Sequence, residues 1–147
     1  MSPKARLPHL LRVDETLLEC APLVAALRQE GLRAGWLDWS PGAAPVEAEL
    51  FPGAGEKGLL RAVKVEAGRT VAEKKLWGAP VLPDVLREHF RGCTLVLVHQ
   101  PRETPPIDAP LLNKTEEGWR IVLPDGAIQR MTTEALAAAL RRPRPFA

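Results

Sequence analysis

The sequence predicts an α+β fold: a single domain with a mainly antiparallel sheet, built from hairpins, and about three helices packed on it. A chain of 147 residues has the length of one domain. Strand-like segments occur in neighbouring pairs joined by turn residues, which is typical of antiparallel hairpins. Helical patterns stand at the ends of these strand runs and do not alternate regularly with single strands.

The termini differ in composition from the rest of the chain. The first 13 residues contain Lys4, Arg6 and Arg12 and no acidic residue. The last residues contain Pro143 and Pro145, and proline cannot continue a helix. We therefore predict a basic arm at residues 1–13, one domain at 14–142 and a tail at 143–147.

The first half of the chain combines one helix with strands. Pro22 suits the first turn of a helix, and Gly31 can adopt the left-handed conformation that ends one. We expect Val13 to pack against Leu18 at the start of this region. The predicted elements are an extended piece at 9–13, a turn at 14–20, a helix at 22–31 and strands at 33–39 and 46–51.

The middle of the chain contains the clearest hairpin. Gly68 supplies the positive φ that a short turn needs, and the strands on either side place Val63 and Val65 on one face. A proline in the first turn and Gly92 at the end mark a following helix. The predicted elements are strands at 59–65 and 70–77, a helix at 83–91 and a central, fully covered strand at 93–98.

The last third begins with a proline-rich connection at 100–113, which is too long for a tight turn. Pro124, Asp125 and Gly126 then form a turn signal, and Thr132 is suited to cap a helix. The predicted elements are strands at 119–123 and 127–131 and a helix at 133–141.

Composition excludes several classes of protein. The net charge of +2 gives no strong field that demands an acidic partner. No apolar run approaches the roughly 20 residues that cross a membrane, so we expect a cytoplasmic protein with no membrane partner. Fifteen prolines and a single asparagine fit a thermophile, although a GC-rich genome alone would also favour proline. Cys20 and Cys93 are expected as reduced thiols, with one bridge between them as the alternative.

Catalytic chemistry has little support in the sequence. The histidines and cysteines lack zinc spacing, so we predict neither a metal site nor a cofactor. No nucleophile stands in a recognisable catalytic motif, and we predict no catalytic residue. The best polar group lies where the central strand leaves the sheet and contains His99, Gln100, Arg102 and Glu103. If the protein is an enzyme, the candidate catalytic residues are His99, Arg102 and Glu103. Strand ends followed by long loops often carry sites.

Aromatic residues are candidates for partner contacts. Trp36 and Trp39 are three residues apart on a predicted strand, so their side chains point to opposite faces. One of them can be buried in the core, and the other is then covered by a helix or exposed as an anchor. We predict a protein-binding surface that includes one of these tryptophans together with Phe51.

Three functions follow, in decreasing order of support. The first is a small soluble, non-catalytic binding or accessory protein that docks a protein partner or self-associates. The second is a small enzyme or ligand-binding domain with its site at the exit of the 93–99 strand. The third is nucleic-acid binding through cations near the two termini. The candidate nucleic-acid residues are Lys4, Arg6, Arg12, Arg141, Arg142 and Arg144.

Overall fold

A computed structural model describes residues 7–41, 51, 61–74, 76, 78–100 and 106–146. The helices in these ranges are α1 (Ala21–Gln29), α2 (Leu82–His89) and α3 (Thr133–Ala139). The strands are β1 (His9–Val13), β2 (Ala34–Asp38), β3 (Arg61–Glu66), β4 (Arg69–Lys74), β5 (Leu95–His99), β6 (Leu111–Lys114), β7 (Trp119–Val122) and β8 (Ile128–Met131).

Six of these strands form one sheet in the order β2-β5-β1-β6-β7-β8. The four strands from β2 to β6 run parallel to their neighbours, and only β7 and β8 add antiparallel pairs. The prediction of a mainly antiparallel α+β fold is therefore wrong. The protein has an α/β fold with a mostly parallel central sheet and a separate antiparallel pair, β3-β4.

The error has a physical cause in strand pairing. Hairpins pair neighbours in sequence and leave a local turn signal, whereas β1 pairs with β5 in a register that joins His9 to Leu95. Nothing local in either segment reveals such a partner. The expectation that β5 is an interior, covered strand is confirmed, because it lies between β2 and β1 and its residues from Leu95 to Val98 are all buried.

Helices cover both faces of the sheet. On one face, Leu23 and Leu27 of α1 and Leu136 of α3 pack with the larger buried cluster. On the other face, Leu86 of α2 packs with Val96 and Val98 of β5. The resulting three layers explain why β5 is apolar on both sides.

The chain divides into two compact units. The larger unit comprises residues 1–40 and 82–147 and contains the six-stranded sheet, and the smaller comprises residues 41–81 and contains β3-β4. The predicted basic arm includes β1, a central strand of the large sheet. The proposed boundaries after residues 13 and 142 stay predictions.

Local signals placed most helix ends and turns correctly. Helix α1 has a proline in its first turn, and Gly31 follows with φ of 76°. The β3-β4 turn contains Gly68 with φ of 80°. Thr132 caps α3 by accepting a hydrogen bond from the Ala135 backbone N–H, and Asp125 accepts one from Ala127 inside the β7-β8 turn. The predicted strand at 46–51 lies outside the described residues except for Phe51.

Candidate functional site

The candidate site lies at the carboxyl ends of the parallel strands. His99 ends β5, and Val13 ends the neighbouring β1. The connection after β1 leads to α1 on one face of the sheet, whereas Ile107, after β5, packs against the cluster on the other face. In open α/β sheets, ligands bind at the carboxyl ends of two neighbouring strands whose following connections run to opposite faces of the sheet. His99 was predicted at a strand exit, and the structure places it at this edge.

His99 lies against an aromatic neighbour on β2. Its ring stacks on Trp36 with 5.9 Å between ring centroids and 21° between the planes. The Trp36 Nε1–H donates to Asp38 Oδ1 at 3.1 Å. His99 Nδ1 is buried and has no hydrogen-bond partner. Arg102 and Glu103, the other two candidate catalytic residues, lie outside the described residues.

An acidic turn, residues 14–20, borders this edge. Glu19 accepts hydrogen bonds from the backbone N–H and the hydroxyl of Thr16, each at 3.0 Å, and these bonds hold the pKa of the Glu19 carboxyl below its ordinary value. Glu15 Oε1 accepts from the Lys114 backbone N–H, while Glu15 Oε2 is buried and has no hydrogen-bond partner. A turn that carries these carboxylates repels phosphate, although its place before a helix would otherwise suit an anion.

The last residue of this turn, Cys20, carries an unreactive thiol. Cys20 is fully buried, and that burial raises the pKa of its thiol to about 11, with Glu15 and Glu19 adding to the rise. A nucleophilic cysteine requires a lowered pKa, so Cys20 does not supply a thiolate at neutral pH. In the described part of the chain, no group of three or more metal-ligating side chains could hold a metal ion.

The two tryptophans pack on opposite faces of the sheet, as the strand spacing predicted. Trp36 packs against the larger cluster and Trp39 against the smaller, and both side chains are half-buried. Phe51, in the smaller unit, is also half-buried. Partner binding by these three residues stays a prediction.

The terminal cations differ in their surroundings. Arg12 is half-buried, and its Nε–H donates to the Ala109 carbonyl at 3.0 Å. Arg141 pairs with Glu30 at 3.2 Å, whereas Arg142 and Arg144 are exposed. The remaining two nucleic-acid candidates, Lys4 and Arg6, lie outside the described residues.

Two exposed aliphatic surfaces escaped the sequence analysis. Leu18 is 85% exposed, so the expectation that it packs against buried Val13 is wrong. On β3, Val63 and Val65 share a face as predicted, and both are exposed. Alternation along a strand indicates which residues share a face, but not whether another element covers that face.

No family model matches the chain, and no curated protein matches it. Among solved structures, it is similar to one described as the X-ray crystal structure of a MobB protein homolog from Bacillus stearothermophilus. The sequence identity is 20% and the TM-score is 0.42. The match covers 74% of this chain and 65% of that chain. The assignment of an α/β fold therefore depends on the strand pairing described above.

None of the helices in the described residues is both long enough and apolar enough to span a membrane.

Proposed function

We propose that this protein is a non-catalytic binding module that self-associates through the β3-β4 hairpin. The observation that supports this function is the exposed aliphatic face of the two-stranded β3-β4 hairpin. Val63 is 52% exposed and Val65 is 77% exposed. Exposed β-branched aliphatic residues side by side on a strand are typical of a surface that is covered by a partner.

The hairpin cannot cover this face with its own residues. Val63 lies opposite Ala72, and Val65 lies opposite Thr70, so small side chains complete the face. A two-stranded hairpin is at best marginally stable in water, and it gains stability when its apolar face is packed. Full burial of one valine contributes about 1.5 kcal/mol or more.

A second copy of the chain supplies a complementary surface. A twofold axis brings the same apolar patch of each copy together. At the end remote from the turn, the face carries Arg61 and Lys74, which lie opposite each other in the strand register. When two hairpins pack in opposite directions, these cationic ends lie far apart, and the valines meet in the middle. This arrangement buries the aliphatic face without bringing like charges together.

Sedimentation equilibrium over a wide concentration range tests the proposal. The wild-type chain is expected to form a dimer, and Val65→Thr should weaken the dimer by about tenfold while retaining the β-branched shape. Ile128→Thr is the control, because Ile128 is also an exposed β-branched residue on a strand, at 52% exposure, but belongs to the larger unit. A chain that stays monomeric at every concentration, or equal weakening by both variants, would refute the proposal.

A second candidate function is ligand binding at the carboxyl edge of the sheet. It is favoured by His99 Nδ1 and Glu15 Oε2, two buried atoms that have no hydrogen-bond partner. A ligand that donates hydrogen bonds would satisfy the Glu15 carboxylate. Native mass spectrometry of the purified chain tests this function, with His99→Phe as the comparison. A small molecule retained by the wild type and lost in the variant supports it, and the absence of any bound molecule counts against it.

A further inference from the structure

Two buried polar atoms without a hydrogen-bond partner lie at the carboxyl edge of the parallel sheet. They are Nδ1 of His99 and Oε2 of Glu15. His99 lies beside Val13 in the strand register, and Glu15 follows Val13 by two residues. Hydrogen bonds from Thr16 chiefly lower the pKa of the Glu19 carboxyl, and the charge of His99 contributes, which places this turn near the imidazole ring. A buried acceptor without a donor destabilises the fold, so the edge is suited to a ligand with several N–H donors.

His99 belongs to an aromatic pair that is held in a fixed orientation. Its ring stacks on Trp36, and the Trp36 indole N–H donates to Asp38 Oδ1 at 3.1 Å. Both aromatic residues are half-buried, so part of each remains accessible. The face of an indole ring attracts cations, and a planar guanidinium stacks on aromatic rings. The pair therefore favours a planar cation over an anion.

The carboxylates near this pair also favour a cation. Glu15 and Glu19 lie in the turn before α1, and Asp38 ends β2. Within the described ranges of the chain, no basic side chain forms an ion pair with any of these three carboxylates. The ammonium group of Lys114 donates instead to the Glu19 backbone carbonyl at 3.4 Å. The negative charge of these carboxylates is therefore available to a bound cation.

We propose that the carboxyl edge binds a guanidinium group. The proposal rests on the second candidate function, ligand binding at this edge, and names the class of ligand. A guanidinium carries five N–H donors in one plane. In the plane of the His99 ring it donates to Nδ1 and lies over the Trp36 indole on which that ring stacks, while a second nitrogen donates to Glu15 Oε2. The outer torsions of imidazole and carboxylate side chains are broad, so both atoms can turn toward the group.

Two small probes test this proposal on the full chain. Butylguanidinium and butylammonium have the same alkyl chain and the same charge, and they differ in the planar group. Nuclear magnetic resonance of the indole N–H groups follows their binding. Butylguanidinium should bind about tenfold more tightly, as expected for an additional charge-assisted hydrogen bond. It should shift the Trp36 signal, which is assigned from its absence in Trp36→Phe.

The Trp119 signal is the internal control, because the Trp119 indole is buried and donates to the Thr133 hydroxyl. Neither probe should shift it. Inorganic phosphate should shift neither the Trp36 nor the Trp119 signal, because the carboxylates at this edge repel an anion.

Glu15→Gln tests the role of the carboxylate. Glutamine keeps an oxygen that can accept from the Lys114 backbone N–H but carries no charge, so this variant should bind butylguanidinium about tenfold more weakly. Glu134→Gln is the matched control, because Glu134 is an exposed glutamate in the first turn of α3, which follows β8 at the other end of the strand order. It should leave the affinity unchanged. Val65→Thr, which tests the hairpin dimer, should also bind the probe like the wild type, because it leaves these carboxylates in place.

Equal affinities of the two probes, no shift of the Trp36 signal, or equal effects of Glu15→Gln and Glu134→Gln would overturn the proposal. An anion or a neutral molecule retained in native mass spectrometry would overturn the guanidinium class alone and keep the second candidate function. Sedimentation equilibrium of Glu15→Gln distinguishes two sources of the guanidinium. An unchanged dimer assigns the site to a free small molecule, whereas a weaker dimer assigns it to an arginine side chain of a second copy.

Discussion

Gly35 of β2 provides a sharp test of the packing around the buried cluster of Leu86, Val96 and Val98. A Cβ atom added at this position would lie 2.6 Å from Phe90 Cδ1, 2.9 Å from Phe90 Cε1 and 3.2 Å from Cys93 Sγ. The ring of Phe90 packs in the cluster beside α2, and a stiff aromatic ring cannot yield by rotating a flexible end. Gly35→Ala should therefore force Phe90 out of its position.

Two opposing effects set the magnitude of this change. Overpacking a core costs about 1–3 kcal/mol. Replacing glycine by alanine where φ is ordinary restricts the unfolded chain, which stabilises the folded state by about 0.4–1 kcal/mol. The overlap with Phe90 should prevail, so we expect the free energy of unfolding to fall by about 1–2 kcal/mol.

Urea denaturation followed by tryptophan fluorescence measures the change. Phe90→Ala removes both ring atoms that the new methyl group meets, Cδ1 and Cε1, so Gly35→Ala should cost about 1 kcal/mol less in that background. A Gly35→Ala variant that is more stable than the wild type would refute the close approach of Phe90. Equal costs in both backgrounds would show that the strain arises elsewhere.

Four further predictions concern single residues. Cys93, which is half-buried, should react with a thiol reagent at pH 8 much faster than buried Cys20, and equal rates would contradict the described packing. The pKa of the Cys20 thiol is 9.0 in the unfolded chain and about 11 in the folded one, so the free energy of unfolding should fall as the pH rises between these values. Cys20→Ala should flatten this decline, as measured by urea denaturation at each pH. Thr132→Ala should lower the unfolding free energy by about 1 kcal/mol, through loss of the α3 cap, with no change in oligomeric state. Arg12→Lys should lower the free energy of unfolding by about 1 kcal/mol, because lysine has no Nε–H that can donate to the Ala109 carbonyl. An unchanged midpoint of urea denaturation would contradict this role of Arg12.

The sequence predicted features that depend on neighbours along the chain. The β3-β4 turn at Gly68, the β7-β8 turn at Asp125 and the Thr132 cap each depend on a few adjacent residues. The parallel sheet could not be predicted in this way, because β1 and β2 have their common partner, β5, far along the chain.

The candidate site also combines features that the local sequence predicts with features that depend on strand pairing. His99 could be found because an apolar strand ends there, but its stacking on Trp36 requires β2 and β5 to be neighbours. The exposure of Leu18 also depends on tertiary structure, since its spacing alone is compatible with a packed position.

The strand order has a consequence for synthesis on the ribosome. β5 lies between β1 and β2, so both earlier strands emerge before the strand that joins them. The β3-β4 hairpin is made entirely in that interval, and its contacts are local, which favours rapid formation. The surface proposed for self-association is thus complete before β5 has been synthesised and the large sheet can form. Two nascent chains on one messenger could pair through their hairpins before either has finished folding, and the dimer would then assemble from neighbouring ribosomes.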